Sequence, residues 1–233
     1  MRRLADLRWL LPLALSLVAV EPRAAEPAPG TPTTATPTPT ATSTPVYQPP
    51  ARGKPRGRVG GGTRGAGSAL PALVALVPEH TGETVSAQPS LFFALGSLPP
   101  EDEKLVFTLT NDESAEPLVE AELARPEAPG IQRIDLARFG VELRIGLEYE
   151  WSVALALDPA RRSRDQLTVG WIERAEPPAG LAANDPRALA RAGFWYDAFA
   201  SASADLRATL LRDAGLGAVA GASQPKPEIS PRE

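Results

Sequence analysis

Residues 148–157 read EYEWSVALAL, and this stretch decides the fold class. Large apolar residues alternate with smaller or polar ones, which is the period of a strand with one buried face. The alternating residues are Tyr149, Trp151, Val153, Leu155 and Leu157. The same alternation occurs at Leu105, Phe107 and Leu109. Both stretches predict strands whose apolar face covers a shared core.

Besides residues 148–157, six segments have strand length and are bounded by turn-forming residues. They are Leu73 to Val77, Ser90 to Leu95, Lys104 to Thr110, Leu118 to Leu123, Ile131 to Leu136 and Leu167 to Ala175. The short spacing between these segments leaves no room for the crossover helices of a parallel α/β fold. We therefore predict a mainly β fold, an antiparallel immunoglobulin-like β-sandwich over residues 70–180.

The apolar period becomes helical after residue 178. Asp185 followed by Pro186 is typical of a helix N-cap and first helical position, and a second helical stripe follows Ser203. The two stripes are Leu189, Ala192, Tyr196 and Phe199, and then Leu206, Leu210, Leu211 and Ala214. We predict an αα-hairpin over residues 184–216 that packs on the sandwich, and a disordered tail over residues 217–233.

Residues 1–25 have the pattern of a signal peptide. Arginines precede a 12-residue apolar run from Trp9 to Val20, and small residues follow it. This run is shorter than the roughly 18 apolar residues of a membrane-spanning helix. We therefore expect a bacterial exported protein, periplasmic or extracellular, with no stable membrane anchor after cleavage. An uncleaved short anchor is the alternative.

The next segment, residues 26–69, is rich in Pro and Thr and ends in a basic, Gly-rich leader. It has almost no large apolar residue to bury, so we predict a disordered, extended spacer. Residues Gly60 to Gly65 match the G-x-G-x-x-G pattern of dinucleotide-binding folds. That mechanism needs a buried strand before the glycines and a helix after them, and a Pro/Arg/Gly run stands here instead.

Charge and composition exclude several classes of function. Residues 70–220 hold 23 acidic and 13 basic side chains, a net charge of −10, so nucleic acid is not an expected partner of the domain. The chain has no Cys and one His, His80, which argues against thiolate chemistry, histidine-built metal sites and a Ser/His/Asp relay. We expect no cofactor, no metal and no catalytic residue.

The acidic clusters, His80 and the tryptophans are explained by ordinary structural roles. The clusters at residues 101–103 and 111–113 lack the ligand alternation of a calcium loop, so we interpret them as solvated turns. His80 lies between two predicted strands and is expected to be an exposed imidazole. Trp151 and Trp171 are expected to lie in the core of neighbouring strands.

Three consecutive aromatic residues, Phe194, Trp195 and Tyr196, cannot all face one side of a helix. If Tyr196 faces inward and the sandwich covers Trp195, Phe194 is left near solvent as an aromatic that faces a partner. Arg64 of the leader could then pair with Asp197. The alternative is ordinary helix packing, with Arg64 free in solvent. These four residues, Phe194, Trp195, Asp197 and Arg64, form the candidate partner-binding site.

Several ordered motifs together resemble a bacterial family of exported proteins known as domain of unknown function 928. They include Tyr47-Gln48-Pro49-Pro50, Gly60 to Gly65, Leu73 to Pro78, Tyr149-Glu150-Trp151, Gly170 to Arg174 and Gly193 to Ala198. The resemblance covers roughly residues 47–216. It implies a signal peptide, a basic Gly-rich leader, a β-rich body and a helical C-terminus, and it implies no activity.

These observations favour a non-catalytic exported binding or adaptor domain that engages an envelope protein or polymer. The first alternative is a hydrolase that uses carboxylates alone, such as a carbohydrate-active enzyme. The second is a structural component of the envelope. A groove that pairs two close carboxylates with an aromatic wall would favour the enzyme.

Overall fold

The computed structural model describes residues 45–50, 73–101, 103–156, 166–222 and 225–232. The predicted signal peptide, most of the predicted spacer and Arg64 lie outside these residues. None of the helices that are described is long and apolar enough to cross a membrane.

The fold is mainly β, as predicted, and its strands form two sheets. The first sheet contains, in spatial order, β1 (Leu73–Ala75), β3 (Ser90–Leu95), β6 (Gly130–Asp135) and β9 (Pro225–Ile229). The second contains, in spatial order, β2 (Gly82–Thr84), β8 (Gln166–Arg174), β7 (Glu148–Ala156), β4 (Lys104–Asn111) and β5 (Val119–Glu122). All seven predicted strands are present.

Two short strands that sequence patterns did not indicate pair in parallel at sheet edges. Strand β2 runs parallel to β8, and β9 runs parallel to β6, whereas the other pairs are antiparallel. The structure differs from the expected tail of residues 217–233, because a 3-10 helix (Gly217–Ala222) and β9 form there. Val219 of the 3-10 helix and Ile229 of β9 are buried, so apolar side chains and pairing with the β6 backbone help to hold this segment.

The two tryptophans of β7 and β8 lie on opposite faces of their sheet. Trp151 is fully buried and lies opposite Gly170, where a Cβ atom would be 2.7 Å from the indole ring. Trp171 lies opposite the exposed Glu150 and is only half-buried. The prediction of a core position is confirmed for Trp151 and wrong for Trp171, because neighbouring residues of a strand point to opposite faces.

The C-terminal part of the chain forms three helices, α1 (Pro186–Arg191), α2 (Trp195–Ser201) and α3 (Ala204–Asp213). Asp185 and Ser203 cap α1 and α3 through their side chains, as expected. The single helix expected from Pro186 to beyond Tyr196 is broken at Gly193, whose φ of +93° is unfavourable for other residues. The break changes which way the following aromatic residues point.

Candidate functional site

The three consecutive aromatic residues of the helical region are all buried. Phe194, Trp195 and Tyr196 have 2%, 0% and 1% of their surface exposed. Phe194 precedes α2, so the three rings do not follow one regular helix and the expected 100° spacing does not apply. The prediction that Phe194 or Trp195 faces a partner at the surface is therefore wrong.

These rings fasten the helices to the sheets through polar atoms. Trp195 donates from Nε1 to the carbonyl of Leu76 at 2.9 Å. The Tyr196 hydroxyl accepts from Trp151 Nε1 at 2.9 Å and donates to the carbonyl of Trp171 at 2.9 Å. Burial raises the pKa of Tyr196 well above its usual range, so the hydroxyl keeps the proton that it donates.

Asp197 also joins α2 to the second sheet. Its Oδ2 accepts from the backbone N–H of Val85 at 3.0 Å, and its Oδ1 accepts from the Thr84 hydroxyl at 3.2 Å. Burial raises the pKa of the Asp197 carboxyl, and these hydrogen bonds partly offset that rise because they favour the charged form. The predicted pairing with Arg64 involves a residue outside those described and stays a prediction.

Asp197 lines a cleft of about 330 Å³ between α2 and the first sheet. Arg133 lies in the same cleft, where its Nη2 contacts Asp135 Oδ2 at 2.6 Å and its Nε donates to Ser90 Oγ at 3.1 Å. The cleft thus contains two carboxylates in different environments. Asp135 is paired with a guanidinium, and Asp197 is held by a hydroxyl and a backbone N–H.

A second concave region forms where residues 45–50, here called the strap, cross the helices. The Gln48 backbone N–H donates to the carbonyl of Ala190 at 3.1 Å. The N–H groups of Val46 and Tyr47 both donate to Asp213 Oδ2, at 2.8 and 3.2 Å. These residues belong to the expected disordered spacer, so the structure differs from that expectation within the strap.

Tyr47 anchors the strap. Its side chain is 4% exposed and packs edge-on against Trp195, with ring centroids 5.0 Å apart. Its ring also stacks on His80 at 5.7 Å, and its hydroxyl lies 2.8 Å from His80 Nε2. The expectation of a surface-exposed His80 is therefore wrong, because Tyr47 covers one face of the imidazole.

The protonation states of this pair follow from burial. Burial raises the pKa of Tyr47 far above its usual range and lowers the pKa of His80. A protonated hydroxyl thus faces a neutral imidazole, and Nε2 of this imidazole can accept a hydrogen bond from the Tyr47 hydroxyl. This pair has matched donor and acceptor roles near neutral pH.

Beside this pair lies a groove of about 460 Å³, here called the Tyr47 groove. Its walls are apolar and its rim is polar. The residues that line it are Pro45, Tyr47, Pro49, Pro78, Glu79, His80, Asp213, Ala214 and Gly215. Concave regions with apolar walls and a few polar groups, including groups with shifted pKa values, are typical of binding sites.

The sequence interpretation missed Tyr47 as a site residue, although a signal was available. Tyr47 is the only aromatic residue between Trp9 and Phe92, and it stands in a segment of small and polar residues. A lone aromatic ring in such a segment indicates an anchor that docks elsewhere. Within the described ranges, no group of three or more His, Asp or Glu side chains is placed to hold a metal ion.

Comparison with known proteins gives a family and no assigned activity. No curated protein and no solved structure matches the chain. One family model, described as Domain of Unknown Function (DUF928), matches residues 59–218. Because this match covers more than half of the 233 residues, the chain belongs to the DUF928 family.

Proposed function

We propose that the protein is a non-catalytic, exported binding domain that engages another envelope protein through the Tyr47 groove. The observation that carries this proposal is the docked strap. A segment outside the family-matched region folds against α1 and α3 and, together with Pro78 and His80, builds an apolar groove. A polymer of the envelope is the alternative occupant.

The charge of the groove supports a basic partner segment. Glu79 and Asp213 line the groove, and burial favours the neutral form of His80, which also lines it. The surrounding domain, residues 70–220, has a net charge of −10, which adds a long-range attraction for cations. A partner segment with an apolar side chain and a neighbouring Lys or Arg would pack the apolar side chain against the walls and pair the cation with the acidic rim.

The same proposal includes the finer fold assignment. The two sheets are proposed to form an immunoglobulin-like sandwich, and residues 184–216, which contain α1, α2 and α3, an αα-hairpin that packs on it. Residues of strands from both sheets contribute to one continuous apolar core, which supports this arrangement. Export depends on residues 1–25 and is proposed on the sequence pattern alone.

A photo-crosslinking experiment tests the binding proposal. A photoreactive amino acid replaces Pro49, which is exposed at the groove, and a matched control replaces Leu118, which is 41% exposed and lies outside the lining of the groove. We expect the protein labelled at position 49 to form a discrete adduct with a protein of the envelope extract. An excess of the unlabelled protein should compete this adduct away, and an excess of the Tyr47→Ala variant should not. Equal labelling at both positions, or none at position 49, would refute the proposal. A carbohydrate adduct would support the polymer.

A carboxylate-based hydrolase is the second candidate, and the cleft beside Asp197 is the observation that favours it. Two carboxylates line this cleft, and the pKa of Asp197 is raised by burial, as a general acid requires. The two hydrogen bonds on Asp197 weigh against this candidate because they also explain the residue as a structural anchor. Hydrolysis of an envelope glycan that Asp135→Asn abolishes without loss of stability would establish it.

A further inference from the structure

The C-terminal segment, residues 225–232, connects the edges of both sheets and is here called the clip. Its first part is β9, which pairs with β6 of the first sheet. Its second part pairs with the second sheet, where the carbonyl of Ser230 accepts from the Ala124 N–H at 2.9 Å and the Arg232 N–H donates to the carbonyl of Glu122 at 2.8 Å. One short segment therefore covers a gap between two sheet edges.

The clip lies outside the region that the family model matches, which ends at residue 218. In residues 59–218 alone, β6 pairs only with β3 and would be an edge strand six residues long. Such an edge presents unpaired N–H and C=O groups, and it is a template for an added strand. The β6 edge of the matched region can thus accept an added strand, and in this chain the clip occupies it.

Several features make the clip an exchangeable occupant. Pro225 and Pro227 have no backbone N–H to donate, and parallel pairing is slightly less stable than antiparallel pairing. The register between β6 and β9 also shifts between Ile131 and Arg133. Extended segments added to a sheet edge in this way are a common mode of peptide recognition.

Two side chains give the clip its specificity. Ile229 is 4% exposed and belongs to the core cluster. Three residues later, Arg232 Nη1 lies 2.5 Å from Glu122 Oε1, and Lys104 Nζ contacts the other oxygen of the same carboxylate at 2.7 Å. The β6 edge therefore accepts an apolar residue, and Glu122 at the end of β5 accepts a cation three positions later.

We propose that the β6 edge and the adjoining end of β5 are a second interaction surface, which binds an extended segment of another protein that runs parallel to β6, and that the clip covers this surface until the partner displaces it. The partner segment has an apolar residue at the position of Ile229 and a Lys or Arg at the position of Arg232. This surface is separate from the Tyr47 groove, because the two share no lining residue.

A peptide-binding experiment tests the proposal. The probe is a fluorescent peptide with the sequence of residues 225–232, PKPEISPR, and the receptors are the full-length protein and its Ile229→Asp variant. The clip acts as an intramolecular competitor at an effective concentration on the order of mM, so we expect the variant to bind the probe at least about tenfold more tightly than the unmodified protein. A probe with Arg232→Glu should lose most of this affinity.

Further arms separate the outcomes. Far-UV circular dichroism checks that Ile229→Asp remains folded, and full-length Arg232→Glu, a change at an exposed side chain, opens the clip by a second route. Absence of probe binding to either folded variant would overturn the proposal. So would a stable dimer of the unmodified protein that Ile229→Asp dissolves, since the occupant would then be a second copy. Neither result depends on crosslinking at Pro49, so this proposal and the binding proposal can fail separately.

Discussion

The strap and the clip are both Pro-containing segments outside the family-matched region, and they are held in different ways. The strap has one buried aromatic side chain, Tyr47, and its N–H groups bond to a helix carbonyl and to Asp213. The clip uses the backbone ladder along β6, with Ile229 as its buried side chain. Each segment thus has a buried apolar side chain, but only the clip pairs with a strand. Strand pairing is therefore not required for a Pro-containing segment of this protein to dock.

The largest expected effect concerns Trp151, in the core of the second sheet. Trp151→Ala should lower the free energy of unfolding by about 3 to 5 kcal/mol, because it leaves a cavity and removes the donor to Tyr196. Trp171→Ala, on the opposite face, is the matched control and should cost less than half as much. Urea denaturation measures both. Equal losses would mean that the two faces of this sheet are equally buried.

A pair of glycine substitutions isolates the contact between the strap and the helices. Gly193 and Gly180 both have positive φ, but only at Gly193 would a Cβ meet Pro50, at 3.3 Å. We expect Gly193→Ala to cost about 1 to 3 kcal/mol and Gly180→Ala about 1 kcal/mol from backbone strain alone. Thermal or urea unfolding gives the difference. The same cost at both sites would show that the strap does not press on Gly193.

Tyr47→Phe removes the strap's hydroxyl and keeps its ring. The hydrogen bond to His80 should contribute about 1 kcal/mol, so the variant loses that amount while the strap stays docked against Trp195. Urea denaturation measures the loss, and protease resistance of the strap checks docking. Release of the strap by this change alone would mean that the hydroxyl, and not the ring, anchors it.

The smallest expected effect is a pH dependence centred on His80. Its pKa is lowered in the folded state by burial, so the unfolded chain binds more protons as the solution becomes acidic. The stabilising contribution is complete above the unfolded value of 6.5 and is lost as pH falls through the folded pKa. We expect His80→Gln to reduce the dependence of the urea midpoint on pH between pH 7.5 and 5, relative to the unmodified protein. An unchanged slope would assign the dependence to groups other than His80.

Sequence patterns predicted most of the β structure because strand periodicity is local. Apolar residues alternate with smaller or polar ones from Tyr149 to Leu155, and buried positions alternate in the same way. The helix caps at Asp185 and Ser203 are where expected. The patterns failed where contacts between distant residues decide. The partial burial of His80 depends on Tyr47, and β9 pairs with the otherwise free edge of β6. The candidate groove was missed for the same reason, since its walls come from three separate segments.

Amide hydrogen exchange at Val46, Tyr47 and Gln48 tests the central claim most directly, that the strap is a docked part of the domain and builds the groove. These three N–H groups donate to Asp213 and Ala190. We expect protection of at least about 100-fold relative to an unstructured peptide, and its loss in Tyr47→Ala, because local opening of the strap must break the anchor first. Exchange at the rate of an unstructured peptide in the unmodified protein would contradict the account.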